Sequence, residues 1–458
     1  MKVIAFTSLK KFLIAFAFWI TIEIASASSG KFGKPNFIII LTDDQGWGDF
    51  SANVTNENLK TPHLDDLVKS GANFSSGYTS APQCIPARVG LLLGRTQNTI
   101  RIERNSDSLE PFLKERNLAE LLTENGYACT IIGKWHLGQI NETSNHGFRF
   151  FFNQVCSSPF WANFSEKGAL SGTQKVGTQS YHIDGCSETA LTFIREYAER
   201  PFFLLLSYRA PHVPLDSPER YLSKIPNELP NARRQALGMF SAIDNGIGLI
   251  QHQLRRLHLT EKTCIFYLSD NGAPLKLEAK DDTHPALGWN GSYNAPLNGE
   301  KGMLTEGGIR VPFAISWPGT VPSGLSYDYP VISLDIAPTI LSQIGIETEA
   351  FDGVNLLPYL QGKKVGPPHP FLCWRWIAQT AIRSGKWKLL QCEDREYLFN
   401  LEEDLSERKN VIHEFPLVSN ELKKKLSDWA QGLKPPGLKN GELPKIWEEY
   451  FDYHLGGE

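Results

Sequence analysis

The sequence lacks an excess of positive charge. Its 46 lysines and arginines are set against 50 aspartates and glutamates, so the 458 residues carry a formal net charge of -4. Proteins that bind nucleic acid usually have a strongly basic balance, because phosphate contacts need lysine and arginine. Nucleic acid is therefore not expected as a partner. Internal repeats and low-complexity segments are also absent, so we expect no repeat architecture.

The sequence lacks an apolar run long enough to cross a membrane, both at the N-terminus and further downstream. The run at 12–22 is shorter than the ~20 residues that a spanning helix needs, and Glu23 follows it. Lysines precede this run, and 25–27 read A-S-A, a small-residue cleavage site. The pattern predicts a signal peptide over residues 1–27, hence a secreted or periplasmic protein with no integral membrane anchor. An uncleaved anchor is the alternative that the length of the run disfavours.

Five short apolar runs predict buried strands, and helical patterns lie between them. Thr61 and Pro62 are typical of a helix start, as N-cap and first-turn proline. Alternating strands and helices predict an α/β fold, a large mostly parallel sheet sandwiched by helices. The length allows one large domain with a smaller one beside it. The predicted strands are 37–41, 128–132, 202–206, 264–268 and 311–316.

Polar clusters follow four of these strands. Ligands of parallel α/β sheets collect beyond the carboxyl ends of the strands, so we expect the four clusters to share one rim. Aspartate and asparagine in two of them offer only oxygen ligands, which favours a hard cation such as calcium over zinc. Either pair alone would more simply be a turn. The residues concerned are Asp43, Asp44, Lys134, His136, His212, Asp270 and Asn271.

A cysteine and an arginine bracket a proline in residues 84–95, C-I-P-A-R-V-G-L-L-L-G-R. This stretch resembles the signature of the type I sulfatases, C-x-P-S/A-R-x-x-x-L-T-G-R, with Leu93 where the family usually has threonine or serine. The resemblance implies that a formylglycine-generating enzyme oxidises Cys84 to an aldehyde. A thiolate would form a stable S-sulfo adduct, whereas an aldehyde hydrate has one hydroxyl to attack sulfur and another to expel sulfate. An ordinary buried cysteine is the alternative.

The resemblance also implies roles for the residues around this cysteine. Asp43, Asp44, Asp270 and Asn271, together with the modified Cys84, would hold the calcium ion, which would polarise the sulfate and the hydrate. The apolar run 89–93 fits a helix whose N-terminus faces the anion. Arg88 would hold the formylglycine side chain, and Arg95 would support the loop.

Four further residues complete the set that the resemblance implies. Lys134, in G-K-W-H-L-G, would bind a sulfate oxygen, and alternation along an extended segment would place His136 on the same side and Trp135 away. His136 would act as the base that lets sulfate leave, and His212 in A-P-H-V-P as the acid that protonates the leaving alcohol. Lys301, in N-G-E-K-G, would be a second sulfate-binding lysine. Family members often show an arginine at or near Asn298.

The resemblance covers 36–429 and includes a C-terminal pattern at 381–404. It implies an alkaline phosphatase/sulfatase-like fold, with a catalytic domain over 28–345 and a smaller C-terminal α+β domain over 346–458. The implied substrate is a sulfated small molecule or oligosaccharide, and the secretion signal and loop aromatics favour a sulfated polysaccharide fragment. The rivals are a phosphodiesterase or phosphonate hydrolase of the same superfamily, and a catalytically silent sulfated-glycan binder.

Aromatic and basic loop residues are candidate substrate contacts or structural residues: His182, Arg209, His284, Trp289, Arg375 and Trp376.

With Cys84 set aside, six of the seven cysteines are available for disulfides, with ~15 pairings. Cys129 and Cys264 lie in strand-like runs and are expected as buried thiols. Cys156 with Cys186 and Cys373 with Cys392 are the candidate bridges.

N-x-S/T sequons matter only in a eukaryotic source, and they occur at Asn53, Asn73, Asn141, Asn163 and Asn290.

Overall fold

The structure is a computed structural model. It describes residues 33–456 except 55, 139, 149, 153–159, 165–169, 176–180, 276–288 and 439–444. The predicted signal peptide lies outside these residues. Within the described part of the chain, no helix combines the length and apolar character that a membrane crossing requires.

Sixteen strands form three sheets in the described residues. The strands are β1 Asn36–Asp43, β2 Gly71–Phe74, β3 Gly77–Tyr78, β4 Ala128–Gly133, β5 Phe150–Phe152, β6 Phe160–Phe164, β7 Leu170–Lys175, β8 Phe202–Pro211, β9 Thr263–Ser269, β10 Phe313–Ser316, β11 Leu325–Tyr327, β12 Val331–Ile332, β13 Leu372–Trp376, β14 Gln379–Ser384, β15 Trp387–Cys392 and β16 Arg395–Asn400.

The helices lie mainly between the strands. They are α1 Pro62–Lys69, α2 Cys84–Leu93, α3 Glu110–Leu113, α4 Leu118–Glu124, α5 His182–Glu196, α6 Glu219–Leu222, α7 Asn231–Arg256, α8 Glu306–Ile309, α9 Ile336–Ser342, α10 Leu357–Leu360, α11 Pro416–Ala430 and α12 Lys445–Leu455, with 3-10 turns at Trp47–Asp49, Gln97–Ile100, Ile140–His146 and Ser333–Asp335.

The largest sheet has ten strands in the order β11-β2-β10-β9-β1-β8-β4-β5-β6-β7. Its centre, from β9 to β5, is parallel, and β10 pairs antiparallel with both β9 and β2. All five strands expected from the sequence are present. The prediction of a large, mostly parallel sheet is therefore confirmed.

Alternate side chains of β1 enter two different cores. Phe37, Ile39 and Leu41 belong to one apolar cluster, and Ile38 and Ile40 belong to the other. Because successive side chains of a strand point to opposite faces, the sheet is covered on both sides. Helices α2, α4 and α9 supply the first cluster, and α1, α5 and α7 supply the second. This explains why the central strands are apolar throughout.

The start of helix α1 differs in one detail from the expected cap. Pro62 occupies the first turn, but the Thr61 side chain makes no capping hydrogen bond. The amide of Leu64 instead donates to the carboxylate of Asp244 on α7, at 2.8 Å. A residue from a neighbouring helix therefore satisfies the free amide, a tertiary contact that the local sequence does not reveal.

The C-terminal part forms a separate antiparallel sheet, β13-β14-β15-β16. One face packs against α11 through Ile382, Leu389 and Leu426. The other face joins an apolar cluster that includes Tyr78 and Leu304 from the larger part of the chain. The expected α+β character of the C-terminal part is confirmed, and this sheet packs against the segment that follows Lys301.

Candidate active site

The carboxyl ends of the central strands bring the polar clusters together. Asp43 ends β1, Lys134 follows β4, His212 follows β8 and Asp270 follows β9. These strands are neighbours in the sheet, and their parallel register places the four ends side by side. The rim expected from the sequence is therefore present.

Cys84 is the first residue of α2 and is 1% exposed. Its Sγ lies 3.5 Å from Oδ1 of Asp43 and 3.4 Å from Nζ of Lys301. Helix α2 is ten residues long and ends at Gly94, whose φ of 60° is left-handed, the conformation that glycine adopts without strain. The helix N-terminus therefore delivers Cys84, with its positive dipole end, to the centre of the rim.

Burial controls the acidity of Cys84. It raises the pKa of the thiol to about 12, and the neighbouring carboxylates of Asp270 and Asp43 add to this, although Lys134 and Lys301 oppose it. At neutral pH the side chain is therefore the neutral thiol. Since the thiolate is the nucleophilic form, the unmodified residue is a poor nucleophile in this setting.

An oxygen-rich cluster suitable for a metal ion surrounds the thiol. Ligand atoms of Asp43, Asp44, Cys84 and Asp270 lie within 4.8 Å of one another, and all four residues are buried. Asn271 lies beside them, since its Nδ2 donates to Oδ1 of Asp44 at 2.6 Å. Its Oδ1 is buried and has no hydrogen-bond partner among the described residues. Carboxylate and amide oxygens fit a hard cation, and this orphaned oxygen is consistent with a ligand role.

Three cations balance the three carboxylates. Lys134 Nζ lies 2.6 Å from Asp43, and Lys301 Nζ lies 2.7 Å from Asp44. Although burial opposes ionisation, the charges of Lys134, His212 and Arg88 hold the pKa of Asp43 well below its usual range. Burial and the carboxylate of Asp43 instead raise the pKa of Asp270. Arg88 is the third cation and pairs with Asp270. Each of the three acids thus has a basic partner in a site with little water, where ion pairs interact strongly.

Arg88 connects three strands of the large sheet. Its guanidinium contacts Oδ2 of Asp270 at 2.9 Å, the backbone carbonyl of Lys134 at 3.0 Å and the hydroxyl of Ser207 at 2.7 Å. A planar guanidinium can make these contacts together, whereas a lysine cannot. Arg88 therefore fixes the relative positions of β4, β8 and β9 around Cys84.

The two histidines lie at the edge of the cluster. Nδ1 of His212 lies 2.6 Å from the carbonyl oxygen of Val213, to which it donates, so Nε2 faces the site, 3.8 Å from Oδ2 of Asp44. Desolvation of the His136 ring by the surrounding groups, with the positive charges of Lys134 and Arg88, lowers its pKa to about 3. His136 is therefore neutral at physiological pH, as a base must be before it accepts a proton.

The segment after β4 adopts the expected arrangement in part. Lys134 points into the site and Trp135 is buried in the opposite direction, as alternation predicts. The segment is not extended throughout, because Gly133 has φ 99° and His136 has φ 64°. The backbone therefore turns sharply at His136, which has a left-handed conformation unusual for a histidine.

Two contacts of the site were not identified from the sequence. Ser207 lies inside β8 and holds Arg88, and no motif marks it. Asn290 is fully buried, and its Nδ2 donates to the carbonyl of Asp44 at 2.9 Å. The sequon at Asn290 is therefore inaccessible in the folded chain, because a glycan would need that amide in solvent. Side chains 141 and 163 lie outside the described residues.

A family model described as Sulfatase matches residues 35–346, and one described as N-sulphoglucosamine sulphohydrolase, C-terminal, matches 299–432. The chain belongs to the sulfatase family. Canis lupus familiaris N-acetylgalactosamine-6-sulfatase is 30% identical over 79% of this chain and 72% of its own. Bos taurus arylsulfatase A is 26% identical over 94% and 95%. A crystal structure of Ps i-CgsB with k-i-k-neocarrahexaose superimposes with TM-score 0.75, 27% identity, and coverage of 92% and 97%.

These relatives support a sulfuric ester hydrolase, and the fold is that of the alkaline phosphatase-like sulfatases. In this sulfatase five of the six expected catalytic side chains contact or belong to the acidic cluster: Cys84, Arg88, Lys134, His212 and Lys301. His136, two residues after Lys134, is close enough for the charges of Lys134 and Asp43 to affect its pKa.

The candidate substrate contacts of the sulfatase separate into two groups. Arg375 and Trp376 are buried, and Arg375 bonds Glu103 and backbone carbonyls, so both are structural. Arg209 is partly exposed and donates to the carbonyl of Val213, next to His212. His182 and Trp289 are also partly exposed, which keeps a substrate contact open for them. His284 lies outside the described residues.

The expected bridge between Cys373 and Cys392 is wrong. Both residues are free thiols. Cys373 on β13 lies opposite Ile382 on β14, which pairs with Leu389 on β15, whereas Cys392 lies further along β15. Strands β13 and β15 lie two strand spacings apart, about 9 Å, and the shift of Cys392 along β15 adds to this distance. The Cα atoms of a disulfide lie within ~7 Å of each other, so the two cysteines are too far apart. Cys156, of the other expected bridge, lies outside the described residues; Cys129 and Cys264 are buried, as expected.

Proposed function

We propose that this sulfatase removes sulfate from a sulfated carbohydrate, with Cys84 converted to formylglycine and a calcium ion bound beside it. The observation that carries the proposal is the position of Cys84. Its side chain is buried at a helix N-terminus, against Asp43 and Lys301, in the one group of potential metal ligands found among the described residues. No other residue of the cluster can act as a covalent nucleophile after oxidation to an aldehyde.

Two properties of the site favour formylglycine over cysteine. Burial raises the pKa of the thiol to about 12, so little thiolate is present at neutral pH. Sulfur is also a poor ligand for the hard cation that the surrounding oxygens favour. An oxygen at this position would be a better ligand, and its hydrate would have one hydroxyl for attack and another for release of sulfate. Because Cys84 is 1% exposed, we expect the maturation enzyme to act before folding is complete.

The residues that would hold calcium are Asp43, Asp44, Asp270, Asn271 and the modified Cys84. When bound, the ion would polarise a sulfate oxygen and offset the negative charge that develops in the reaction. The three carboxylates already match the charges of Arg88, Lys134 and Lys301. A divalent cation would therefore make the site net positive, which suits an anionic ester.

Lys134 and Lys301 would bind the sulfate oxygens from two sides. Both ammonium groups reach the cluster, at Asp43 and at Asp44. Burial opposes their charge, but the carboxylate of Asp43 raises the pKa of Lys134 and that of Asp44 raises the pKa of Lys301, so both stay charged. Fixed positive charges aimed at the reacting group usually give the largest part of a rate enhancement.

His212 and His136 would move the protons. The carbonyl of Val213 orients the ring of His212, leaving Nε2 toward the site to protonate the leaving alcohol. His136 is neutral, with its pKa lowered to about 3, and would take the proton from the hydrate so that sulfate departs. One histidine thus donates a proton and the other accepts one.

The carbohydrate substrate rests on the relatives. N-acetylgalactosamine-6-sulfatase acts on a sulfated sugar by name, and the Ps i-CgsB structure contains a neocarrahexaose. The N-terminal sequence pattern supports a secreted or periplasmic protein. We further propose the division into a catalytic part over 28–345 and a C-terminal part over 346–458.

The test compares kcat/KM on matched aryl sulfate, aryl phosphate and phosphonate esters, using protein made with a maturation enzyme and calcium. We expect the sulfate ester to be the best substrate and Cys84→Ala to abolish its turnover. A preference for phosphate or phosphonate esters would favour the rival hydrolase. Binding of a sulfated glycan without turnover of any ester would favour the silent binder.

A further inference from the structure

The last helix of the chain reaches the segment that carries Lys301. On α12, His454 is 6% exposed, with Nδ1 3.1 Å from Oδ1 of Asn298 and Nε2 3.2 Å from Oε1 of Glu300. In the opposite direction, Nδ2 of Asn298 donates to the backbone carbonyl of His454, at 2.7 Å. We call these three residues, His454, Asn298 and Glu300, the C-terminal clasp. It contacts the chain immediately before Lys301.

The clasp is coupled to both sides of the site. Glu300 also accepts a hydrogen bond from the amide of Leu275, at 2.7 Å, on the segment that follows Asn271. The amide of Lys301 itself donates to the carbonyl of Ala273, at 3.2 Å. The clasp therefore fixes the Lys301 backbone against the chain that leaves β9, the strand before Asp270.

A second anchor joins the same segment to the nucleophile. The amide of Gly302 donates to the carbonyl of Pro82, at 2.9 Å, two residues before Cys84. Gln379 of β14 accepts from the amide of Leu304 at 2.8 Å and donates to the carbonyl of Gly302 at 2.9 Å. C-terminal elements thus hold the Lys301 segment from both sides, His454 before the lysine and Gln379 after it.

Helix α12 is itself firmly placed. Tyr450 and Phe451 are buried in the cluster that contains Trp374 and Trp376 of the C-terminal sheet. Arg395 of β16 donates to the carboxylate of Asp452 at 2.7 Å. The helix is therefore packed against the C-terminal sheet and connects this sheet to Glu300 through His454.

We propose that His454 is a positioning residue that sets the place of the Lys301 ammonium group through Asn298 and Glu300. The role of Lys301 as a sulfate ligand rests on the proposed function. His454 contacts neither Cys84 nor the acidic cluster, so its effect must pass through the Lys301 segment. A lysine side chain has several rotatable bonds, and a backbone shift of ~1 Å at a reacting group can cost about 10²-fold in rate.

The test is a double-mutant cycle on an aryl sulfate with the calcium-loaded, matured full-length protein. We expect His454→Ala to lower kcat/KM about tenfold or more and to weaken inhibition by inorganic sulfate, while His454→Gln, which can still donate to Glu300, recovers part of the loss. In a Lys301→Ala background, His454→Ala should change kcat/KM less than twofold. Glu449→Ala is the matched control, because Glu449 lies on the same helix and its side chain is exposed.

Equal losses from His454→Ala with and without Lys301 would overturn the proposal, as would an unchanged kcat/KM in the wild-type background. Failure of the proposed function would appear separately, as absent sulfate turnover by the wild type. Hydrogen exchange of the 298–304 peptide then decides the inference alone. We expect faster exchange in His454→Ala than in Glu449→Ala, and equal rates would overturn the clasp.

Discussion

Arg88 and Asp270 form a buried ion pair beneath Cys84, with Nη2 2.9 Å and Nε 3.0 Å from the same carboxylate oxygen. The side chains are 3% and 1% exposed. The other carboxylate oxygen of Asp270 accepts the amide of Asp44 at 3.2 Å. This pair therefore links the cysteine helix to two residues of the proposed calcium site, and its integrity affects both the fold and the chemistry.

We expect Arg88→Gln to destabilise the protein and to reduce activity. Removing one partner of a buried pair leaves the other charge uncompensated and costs about 3–5 kcal/mol. Loss of a charge near the sulfate should lower kcat about 10²–10³-fold. Urea unfolding and aryl sulfate kinetics check both. Arg95→Gln is the control, since its pair with Glu115 is one-third exposed and worth less than about 1 kcal/mol. Equal effects of the two substitutions would contradict the importance of the buried pair.

Calcium removal should lower both activity and thermal stability. The proposed ligands are buried and close together, so an ion bound only by the folded state would stabilise it, by about 2.7 kcal/mol at 100 times its Kd. Chelation followed by calcium or zinc addition, read by melting and by turnover, checks this. We expect calcium to restore both. Asp44→Asn should weaken calcium binding at least tenfold, because a charged ligand is lost. Recovery with zinc but not with calcium would contradict the oxygen-ligand site.

The stability of the protein should fall in mild acid because of His182. Burial, with the nearby charge of Arg209, lowers the pKa of His182 from its usual 6.5 to about 4. Between these values the unfolded state binds more protons, so this contribution is complete above pH 6.5 and is lost as pH falls toward 4. The loss between pH 7 and pH 5 should be about 2 kcal/mol.

His182→Gln should remove that part of the acid sensitivity. The measurement is the free energy of unfolding at pH 7 and pH 5 for both proteins. The difference between the two pH values should be about 2 kcal/mol smaller in the variant. An identical difference in the two proteins would show that His182 does not titrate below its usual range.

Gly272→Ala should disturb the packing of the chain that supports the active site. A Cβ at this position would lie 1.8 Å from the carbonyl oxygen of Gly307, so the segments after Asn271 and after Lys301 would have to separate. Overpacking of this kind costs about 1–3 kcal/mol. We expect lower melting temperature and lower kcat/KM. Gly432→Ala is the control, because its nearest contact would be an ordinary 3.6 Å. A fully active Gly272→Ala variant would contradict the close approach of the two segments.

Local sequence patterns predicted the strands and the rim because both depend on neighbouring residues. The apolar runs of β1 and β9 and the aspartates that end them are adjacent in sequence, and parallel pairing brings the ends together. The contacts that sequence reasoning missed are all long-range. Asn290 bonds Asp44, and His454 bonds Glu300, across separations that no periodicity marks.

The incorrect disulfide has the same origin. Cys373 and Cys392 were a candidate bridge from the sequence, but β14 lies between their strands and sets the register that separates them. The order in which strands pair depends on the whole sheet. A local sequence pattern therefore cannot predict which cysteines lie side by side.

The central claim, that Cys84 becomes formylglycine, is tested most directly by the mass of the tryptic peptide 70–88 from protein produced with a maturation enzyme. Conversion should give a loss of about 18 Da, since the thiol carbon becomes an aldehyde. The converted fraction should rise in proportion to aryl sulfate turnover across preparations. Unmodified cysteine at full turnover, or in a host that converts a control sulfatase, would show that formylglycine is not the nucleophile.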